Sequence, residues 1–173
     1  MDPNVLHNIS YGMYIVASHS GEKLNGQIAN SVMQITSEPV TIAVSINKEN
    51  LTHGYIRQSG RFTMSILDEK ATLSFIGKFG FRSGKTVDKF KDTHYELLAS
   101  GCPAVTDNAL CYLEAKVIRD FDCLTHTLFL GEMTASKMLL AGKPMTYAYY
   151  HEVKRGTTPA SAPTYIKNEE THT

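Results

Sequence analysis

The segment from Val40 to Ile46 is the feature that most constrains the fold, because its apolar and polar residues alternate strictly. Val40, Ile42, Val44 and Ile46 share one face, and smaller or polar residues occupy the other. A period of two residues is typical of a β-strand that buries one face. A strand with one buried face needs partners, so the chain must build a sheet around a core.

Other segments repeat this strand signature along most of the chain. Further strands are predicted at residues 12–18, 62–66, 95–99, 110–118 and 125–134, and an aromatic strand or extended segment at 145–153. Short helices are predicted at 51–59, 72–79 and 136–140. Many short strands joined by short helices indicate a mainly β fold, a closed antiparallel barrel with helical connections.

Composition limits the classes of function. The formal net charge is zero, which argues against nucleic acid as a partner, because that partner requires an excess of basic charge. The sequence contains neither an apolar run long enough for a membrane span nor a signal-peptide pattern, so no membrane partner is expected. Three cysteines without a C-x-x-C pair indicate a reducing compartment, and we expect a cytoplasmic protein.

The chain divides by composition into two parts. Residues 1–155 carry all the periodic patterns and are predicted to form one domain. Residues 156–173 are rich in Thr, Pro, Ala and Ser, then charged, and are predicted to be a tail or linker that crosses a surface.

The first candidate site follows the alternating strand, where a polar loop leads into a predicted helix that begins after Asn50. The first turn of a helix has unpaired N–H groups and a partial positive charge, which suit a phosphate. A capped surface helix with solvated polar residues is the alternative interpretation. The side chains that would add donors are Ser45, Asn47, Lys48, Thr52 and His53.

The second candidate site is a basic, glycine-containing loop at residues 78–91. Such a loop can offer backbone and side-chain donors to an anion. Its spacing does not match a Walker A loop, and a solvated basic loop is the alternative. Together the two loops suggest a small ligand that carries a phosphate.

His126 is ambiguous. It lies on the predicted strand at 125–134, where a lone histidine is more often a hydrogen-bonded structural residue than a catalyst. The spacing of histidines and carboxylates matches no zinc or non-haem iron pattern, and no metal site is predicted.

The order of several motifs resembles the flavin reductase-like, FMN-binding split-barrel family. These motifs are GMYIVAS, NGQIANSVMQITSEP, VTIAVSINKENLTH, GRFTMSIL, FRSGKTVDKF and HTLFLGEM, spread from residue 12 to residue 133. Within the family, the segment YYHEVKRGTTPASAPTY is similar to flavoredoxins and to the flavin domain of high-molecular-weight rubredoxins.

The resemblance implies a six-stranded antiparallel Greek-key barrel that binds FMN and pairs as a homodimer. It implies that the isoalloxazine lies against residues 30–34, with the phosphate near residues 45–48, Thr52 and His53. The basic loop would close over the phosphate and ribityl chain, and His126 would be the histidine near the ring. The implied cofactor-binding residues are Asn30, Ser31, Val32, Met33, Gln34, Ser45, Ile46, Asn47, Lys48, Thr52, His53, Ser83, Gly84, Lys85 and Lys89.

Two redox functions follow from this resemblance. The first is an oxidoreductase that takes hydride from NADH or NADPH, without a G-x-G-x-x-G dinucleotide fold of its own. The second is a flavoredoxin-like electron-transfer protein whose partner is a rubredoxin or a flavodiiron protein. A non-redox split-barrel sensor that binds haem or flavin remains a third alternative.

Overall fold

The computed structural model describes residues 3–165, which form one main sheet, a small hairpin and short helices. A 3₁₀ turn, Pro3–Asn8, precedes the first strand. The strands are β1 (Tyr14–Ser20), β2 (Lys23–Ala29), β3 (Val32–Ser37), β4 (Val40–Asn47), β5 (Arg61–Leu67), β6 (Tyr95–Leu97), β7 (Pro103–Val105), β8 (Ala109–Cys123) and β9 (His126–Met138). The helices are α1 (Leu51–Ser59), α2 (Leu73–Gly80) and α3 (Tyr147–Glu152).

The main sheet is antiparallel and curls around a core, which confirms the expected mainly β barrel class. Its strand order is β2-β1-β5-β8-β9-β4-β3, and β6 pairs with β7 separately. One core cluster contains Val16 of β1, Val44 of β4, Phe62 of β5 and Phe129 of β9. Strands that are far apart in the sheet order thus share one interior. The main sheet has seven strands, one more than the expected six, because residues 23–37 form both β2 and β3.

The alternation of β4 places Ile42, Val44 and Ile46 in this core. On the opposite face, Ala43 is also buried, although the sequence pattern predicted a polar face there. In the sheet register Ala43 lies between Met33 of β3 and Leu130 of β9, and these longer side chains flank it.

A second core lies on the other face of β1. Ile15 and Ala17 pack there with Phe79 of α2, Met145 and Tyr150. This core holds α2 and α3 against the barrel beside β2. The chain segments that follow these two helices therefore lie close to the β2 edge.

Two predicted elements were wrong. Residues 136–138 continue β9, because the register with β8 extends to the pair Cys111 and Met138, and long-range pairing overrides local helix preference. The predicted aromatic strand contains α3 instead. Thr146 starts this helix, and its side chain accepts a hydrogen bond from the Tyr149 N–H at 3.1 Å.

Between residues 3 and 165, no helix is both long enough and apolar enough to span a bilayer.

Candidate functional site

A cavity of about 280 Å³, called here the main cavity, opens at the β2 edge of the barrel. Its walls come from β2, the end of β4, the start of α1, the loop after α2, α3 and the segment that follows α3. Polar side chains on β2, β4 and α1 converge on it: Asn25, Gln27, Asn30, Ser45, Asn47 and Thr52. The loop after α2 adds Arg82, Ser83 and Gly84.

The start of α1 leaves hydrogen-bond donors at this cavity. Asn50 has an extended backbone, with φ of −74° and ψ of 137°, and its side chain makes no capping bond within the described chain. Leu51 and Thr52 follow it and also line the cavity. Because the first N–H groups of a helix have no intrahelical acceptor, this turn can accept an anion.

The loop after α2 packs tightly onto β2 at Gly84. A Cβ atom at Gly84 would lie 2.0 Å from Asn25 Oδ1 and 3.1 Å from Leu51 Cδ2. A side chain at this position therefore requires the loop or its neighbours to move. Arg82 also lines the cavity, and its guanidinium has no carboxylate partner within residues 3–165.

Lys89 is buried in the cavity wall, with 5% of its surface exposed. Its Nζ donates to the Gly26 carbonyl at 2.9 Å and to the Phe79 carbonyl at 3.1 Å. Burial lowers the pKa of this amine to about 8, because the charged form loses its hydration. An ammonium group has three N–H donors, so one remains for a ligand.

Gln27 supplies the observation that tests whether a cofactor fits. Its side-chain Oε1 is buried in the cavity wall and has no hydrogen-bond partner in the described part of the protein. Buried polar atoms are normally satisfied, and a ligand N–H would satisfy this one. Donors for a phosphate and an acceptor for a ring N–H therefore occur in the same cavity, and a flavin nucleotide fits this donor and acceptor set.

Seven of the residues predicted from sequence line the main cavity: Asn30, Ser45, Asn47, Thr52, Ser83, Gly84 and Lys89. These seven come from the residue that follows β2, from β4, from α1 and from the loop after α2. The structure thus unites the two candidate phosphate loops in one site.

Other predicted residues lie outside the lining. The Ile46 side chain is fully buried in the barrel core and is not part of the cavity lining. Ser31, Val32, Met33 and Gln34 lie at or on the edge strand β3, away from the cavity lining, and Met33 is 60% exposed.

The two exposed lysines predicted at the phosphate also lie elsewhere. Lys48 makes an ion pair with Asp122 at 2.6 Å. Lys85 lies at a separate, open cleft formed with Lys23, Tyr55 and Lys91, on the far side of Gly84. Arg82, which was not among the predicted cofactor-binding residues, lines the main cavity from the same loop as Lys89.

The His53 side chain is buried and is not part of the cavity lining. Its Nε2 is 2.8 Å from Thr127 Oγ1, and its ring centroid is 5.3 Å from that of Phe129. Burial is the main cause that lowers the His53 pKa, and the nearby charges of Arg57 and Lys48 lower it further.

His126 stands beside the cavity. It pairs in register with Asn47, a lining residue, and its Nδ1 is 2.9 Å from Thr125 Oγ1. Its Nε2 is buried without a partner among the described residues. Burial lowers the pKa of the imidazole, and the nearby backbone of Ser161 partly opposes this shift.

The segment after α3 was not expected at the site. Residues 156–164 are called here the C-terminal strap, and most of them line the cavity: Thr157, Thr158, Pro159, Ser161, Ala162 and Pro163. The strap belongs to the predicted tail of residues 156–173, of which residues 166–173 lie outside the described range. Asn25, Gln27, Tyr147 and Tyr150 also line the cavity and were not predicted from sequence. Tyr147 and Tyr150 are three residues apart, a spacing that places two side chains on one face of a helix, so a helix prediction at this position would have indicated that they lie together.

Comparison with known proteins shows the family to which this chain is similar. Residues 6–158 match the family model described as a flavin reductase like domain. The chain is 51% identical over 170 residues to a high molecular weight rubredoxin of Moorella thermoacetica, covering 98% of this chain and 74% of that protein. It is 44% identical over 169 residues to a ferric-chelate reductase (NAD(P)H) of Archaeoglobus fulgidus, covering 98% of this chain and all of that protein.

Solved structures agree. The flavin reductase PheA2 superposes with a TM-score of 0.70 at 25% identity, over 84% of this chain and 93% of that one. An FMN-binding protein from Thermus thermophilus superposes with a TM-score of 0.73 at 23% identity, over 83% of this chain and 82% of that one.

The curled barrel and these matches together define a flavoprotein of the oxidoreductase class. The chain belongs to the flavin reductase-like family, as the family match over most of its length shows. Electron transfer through a flavin is the chemistry of this class.

Proposed function

We propose that this protein is an FMN-dependent oxidoreductase that takes hydride from NADH or NADPH and passes electrons to an acceptor. The observation that carries the proposal is the main cavity, whose lining combines the open first turn of α1 and Arg82 with Gln27 Oε1, a buried acceptor that has no partner within residues 3–165. The ferric-chelate reductase relative, which is named for NAD(P)H, supports the choice of donor.

The chain's own residues would bind and orient the cofactor. The N–H groups of Leu51 and Thr52, with Arg82 and the Lys89 ammonium, are available to a phosphate, and a terminal phosphate favours FMN over the larger FAD. Gln27 offers its buried Oε1, which has no partner among the described residues, to an N–H group of the ring system. The flavin supplies the chemistry, because it accepts a hydride equivalent and can release electrons singly or in pairs.

His126 would act by position rather than by acid–base catalysis. It is adjacent to the lining residue Asn47, and burial lowers its pKa, which keeps the ring neutral near pH 7. A neutral imidazole can orient a nicotinamide amide through hydrogen bonds without adding charge.

A homodimer is part of the proposal. The outer face of the sheet near the cavity carries the apolar side chains Met33 of β3, Leu128 and Leu130 of β9, and Phe121 of β8 in neighbouring register positions. Met33 and Phe121 are 60% and 45% exposed. Exposed apolar faces mark association sites, and this one is continuous with Ser45 and Asn47 of the cavity.

We also propose a cytoplasmic location. Cys102, Cys111 and Cys123 are all free, and the Cys102 thiol is buried with a pKa raised to about 11, mainly by burial. Unpaired cysteines are usual in reducing compartments.

An anaerobic titration tests the proposal. The protein is loaded with FMN, and NADH and NADPH are added separately while the visible absorbance of oxidised flavin is followed. Bleaching with at least one donor at catalytic rates supports the reductase. Release of FAD rather than FMN on denaturing the purified protein would contradict the choice of cofactor.

A second candidate function is electron exchange with a rubredoxin or a flavodiiron protein. The 51% identity to a high molecular weight rubredoxin favours it. A diflavin flavoprotein of Synechocystis is 26% identical over 145 residues, a region that covers 84% of this chain and 25% of that protein. Slow oxidation of NADH and NADPH together with fast reduction by an added rubredoxin would select this function over the first.

A further inference from the structure

The C-terminal strap forms part of the wall of the main cavity. After α3 the chain reverses at Arg155, whose φ is +59°, and Gly156 then lies flat on the Tyr150 ring. A Cβ atom at Gly156 would be 2.0 Å from Tyr150 Cζ, so this close approach requires glycine. The following residues, from Thr157 to Pro163, form part of the cavity wall.

Hydrogen bonds fasten the strap at both ends. On the α3 side, the Tyr150 hydroxyl donates to the Thr157 carbonyl at 2.9 Å, and His151 Nε2 is 3.2 Å from Thr158 Oγ1. On the barrel side, Asn30 Nδ2 donates to Thr164 Oγ1 at 2.7 Å. Asn47 Nδ2 donates to the Ser161 carbonyl at 3.2 Å.

Tyr147 joins these two ends. Its hydroxyl oxygen is hydrogen bonded to Thr158 Oγ1, and it accepts a bond from Thr164 Oγ1 at 3.1 Å. The ring is itself fixed, because it packs edge-on against Tyr11 and His151. One hydroxyl group in the cavity wall therefore holds the strap near its start and near its end.

We infer that the strap is a gate that retains the flavin as a prosthetic group, and that Tyr147 is its positioning residue. The inference rests on the proposed function, because it takes the flavin to occupy the main cavity. A flavin enclosed in this way leaves only when the strap detaches. Electrons, rather than reduced flavin, would then leave the protein during turnover.

The test compares two tyrosine variants of the same helix. Tyr147→Phe removes the hydroxyl that contacts the strap. Tyr149→Phe removes a hydroxyl with no hydrogen-bond partner in the described chain, two residues away and outside the cavity lining. Flavin release is measured by dilution into excess apoprotein of another flavin-binding protein, and association by stopped-flow fluorescence.

Loss of two hydrogen bonds should raise the dissociation rate in Tyr147→Phe roughly tenfold. Opening of a gate affects entry as well as exit, so association should also accelerate and the Kd should change less than the dissociation rate. Tyr149→Phe should match the wild type in both rates. A purely structural role for Tyr147 would lower thermal stability without accelerating both rates.

A second variant tests the packing of the strap on Tyr150 while keeping every side chain that hydrogen bonds the strap. Gly156→Ala should lift the strap from Tyr150 and accelerate both rates, whereas Gly77→Ala in α2, where a Cβ meets nothing within 4 Å, should not. Amide hydrogen exchange at residues 157–164 should also speed up in Gly156→Ala and not in Gly77→Ala.

The outcomes separate the inference from the proposed function. Equal release rates in Tyr147→Phe, Gly156→Ala and the wild type, with FMN bound in all three, would overturn the gate alone. Tighter FMN binding in both variants would also overturn it, because the strap would then compete with the flavin. Absence of flavin binding to the wild type would overturn the gate together with the proposed function.

Discussion

Asn25 Nδ2 donates a hydrogen bond of 2.8 Å to Thr52 Oγ1 inside the cavity wall. This bond ties β2 to the first turn of α1, and it orients Asn25 so that its Oδ1 lies against Gly84. One amide side chain therefore sets the distance between the two elements proposed to bind the phosphate.

Gly84→Ala should disturb this arrangement, because the new Cβ would meet Asn25 Oδ1 at 2.0 Å. We expect the loop to move away from α1 and FMN affinity to fall about tenfold or more, with little change in barrel stability. Equilibrium titration of the apoprotein with FMN measures this. Gly54→Ala, which adds a Cβ in open space on α1, is the matched control and should bind FMN as the wild type does.

Arg82 and Lys85 belong to the same loop but should differ in effect. Arg82 lines the main cavity, whereas Lys85 lies at the separate cleft. Arg82→Ala should weaken FMN binding by roughly 1.5 kcal/mol, the scale of one hydrogen bond to a charged group. Lys85→Ala should leave the Kd within about twofold. The reverse ranking in isothermal titration would show that the phosphate lies on the far side of Gly84.

Lys89 should make FMN binding depend on pH. Its pKa is about 8 in the free protein, and a bound phosphate favours the charged amine. The Kd should therefore rise as pH increases above about 8, by up to about tenfold per unit. Lys89→Met keeps the aliphatic stem and removes the titrating group, so its Kd should be nearly independent of pH over this range.

The same group should affect the stability of the unliganded protein with a definite sign. The folded-state pKa of about 8 lies below the usual 10.5, so between these values the unfolded chain binds more protons. The free energy of unfolding contributed by Lys89 therefore rises with pH across this window. Chemical denaturation at several pH values measures it, and a fall with pH that Lys89→Met abolishes would contradict the assignment.

We expect Ile46 to contribute to the free energy of unfolding and not to the affinity for the cofactor. Its side chain is fully buried between β-strands of the barrel core. Ile46→Val should lower the free energy of unfolding by about 0.5–1.5 kcal/mol and Ile46→Ala by about 2–5 kcal/mol. In both, the folded protein should bind FMN with unchanged affinity. A large change in Kd without a change in stability would place this side chain at the ligand.

Local sequence patterns predict much of the barrel but only part of the candidate site. The alternation in β4 predicts a buried strand, and the order of motifs predicts the family. The polar residues at the end of this strand and at the start of α1 were also predicted, because a strand end followed by a helix start exposes hydrogen-bond donors at fixed places. Ser45, Asn47 and Thr52 accordingly all line the cavity.

The features that the sequence did not predict depend on contacts between residues that are far apart in the chain. The strap carries no periodicity, and its place over the cavity depends on bonds such as that from Asn30 to Thr164, 134 residues apart. Local preference for a helix at residues 136–138 failed for the same reason, since pairing with β8 decides their conformation. Arg82 lines the main cavity and Lys85 lines the separate cleft because of the path that one loop takes around Gly84, which the sequence does not show.

The most direct test of the central claim is the backbone amide spectrum of Leu51 and Thr52 during titration with FMN and, separately, with riboflavin. If the first turn of α1 binds the phosphate, FMN should move both amide proton signals downfield, and riboflavin, which lacks the phosphate, should not. Shifts confined to Lys23, Lys85 and Lys91 at the separate cleft would show that the main cavity does not bind the phosphate.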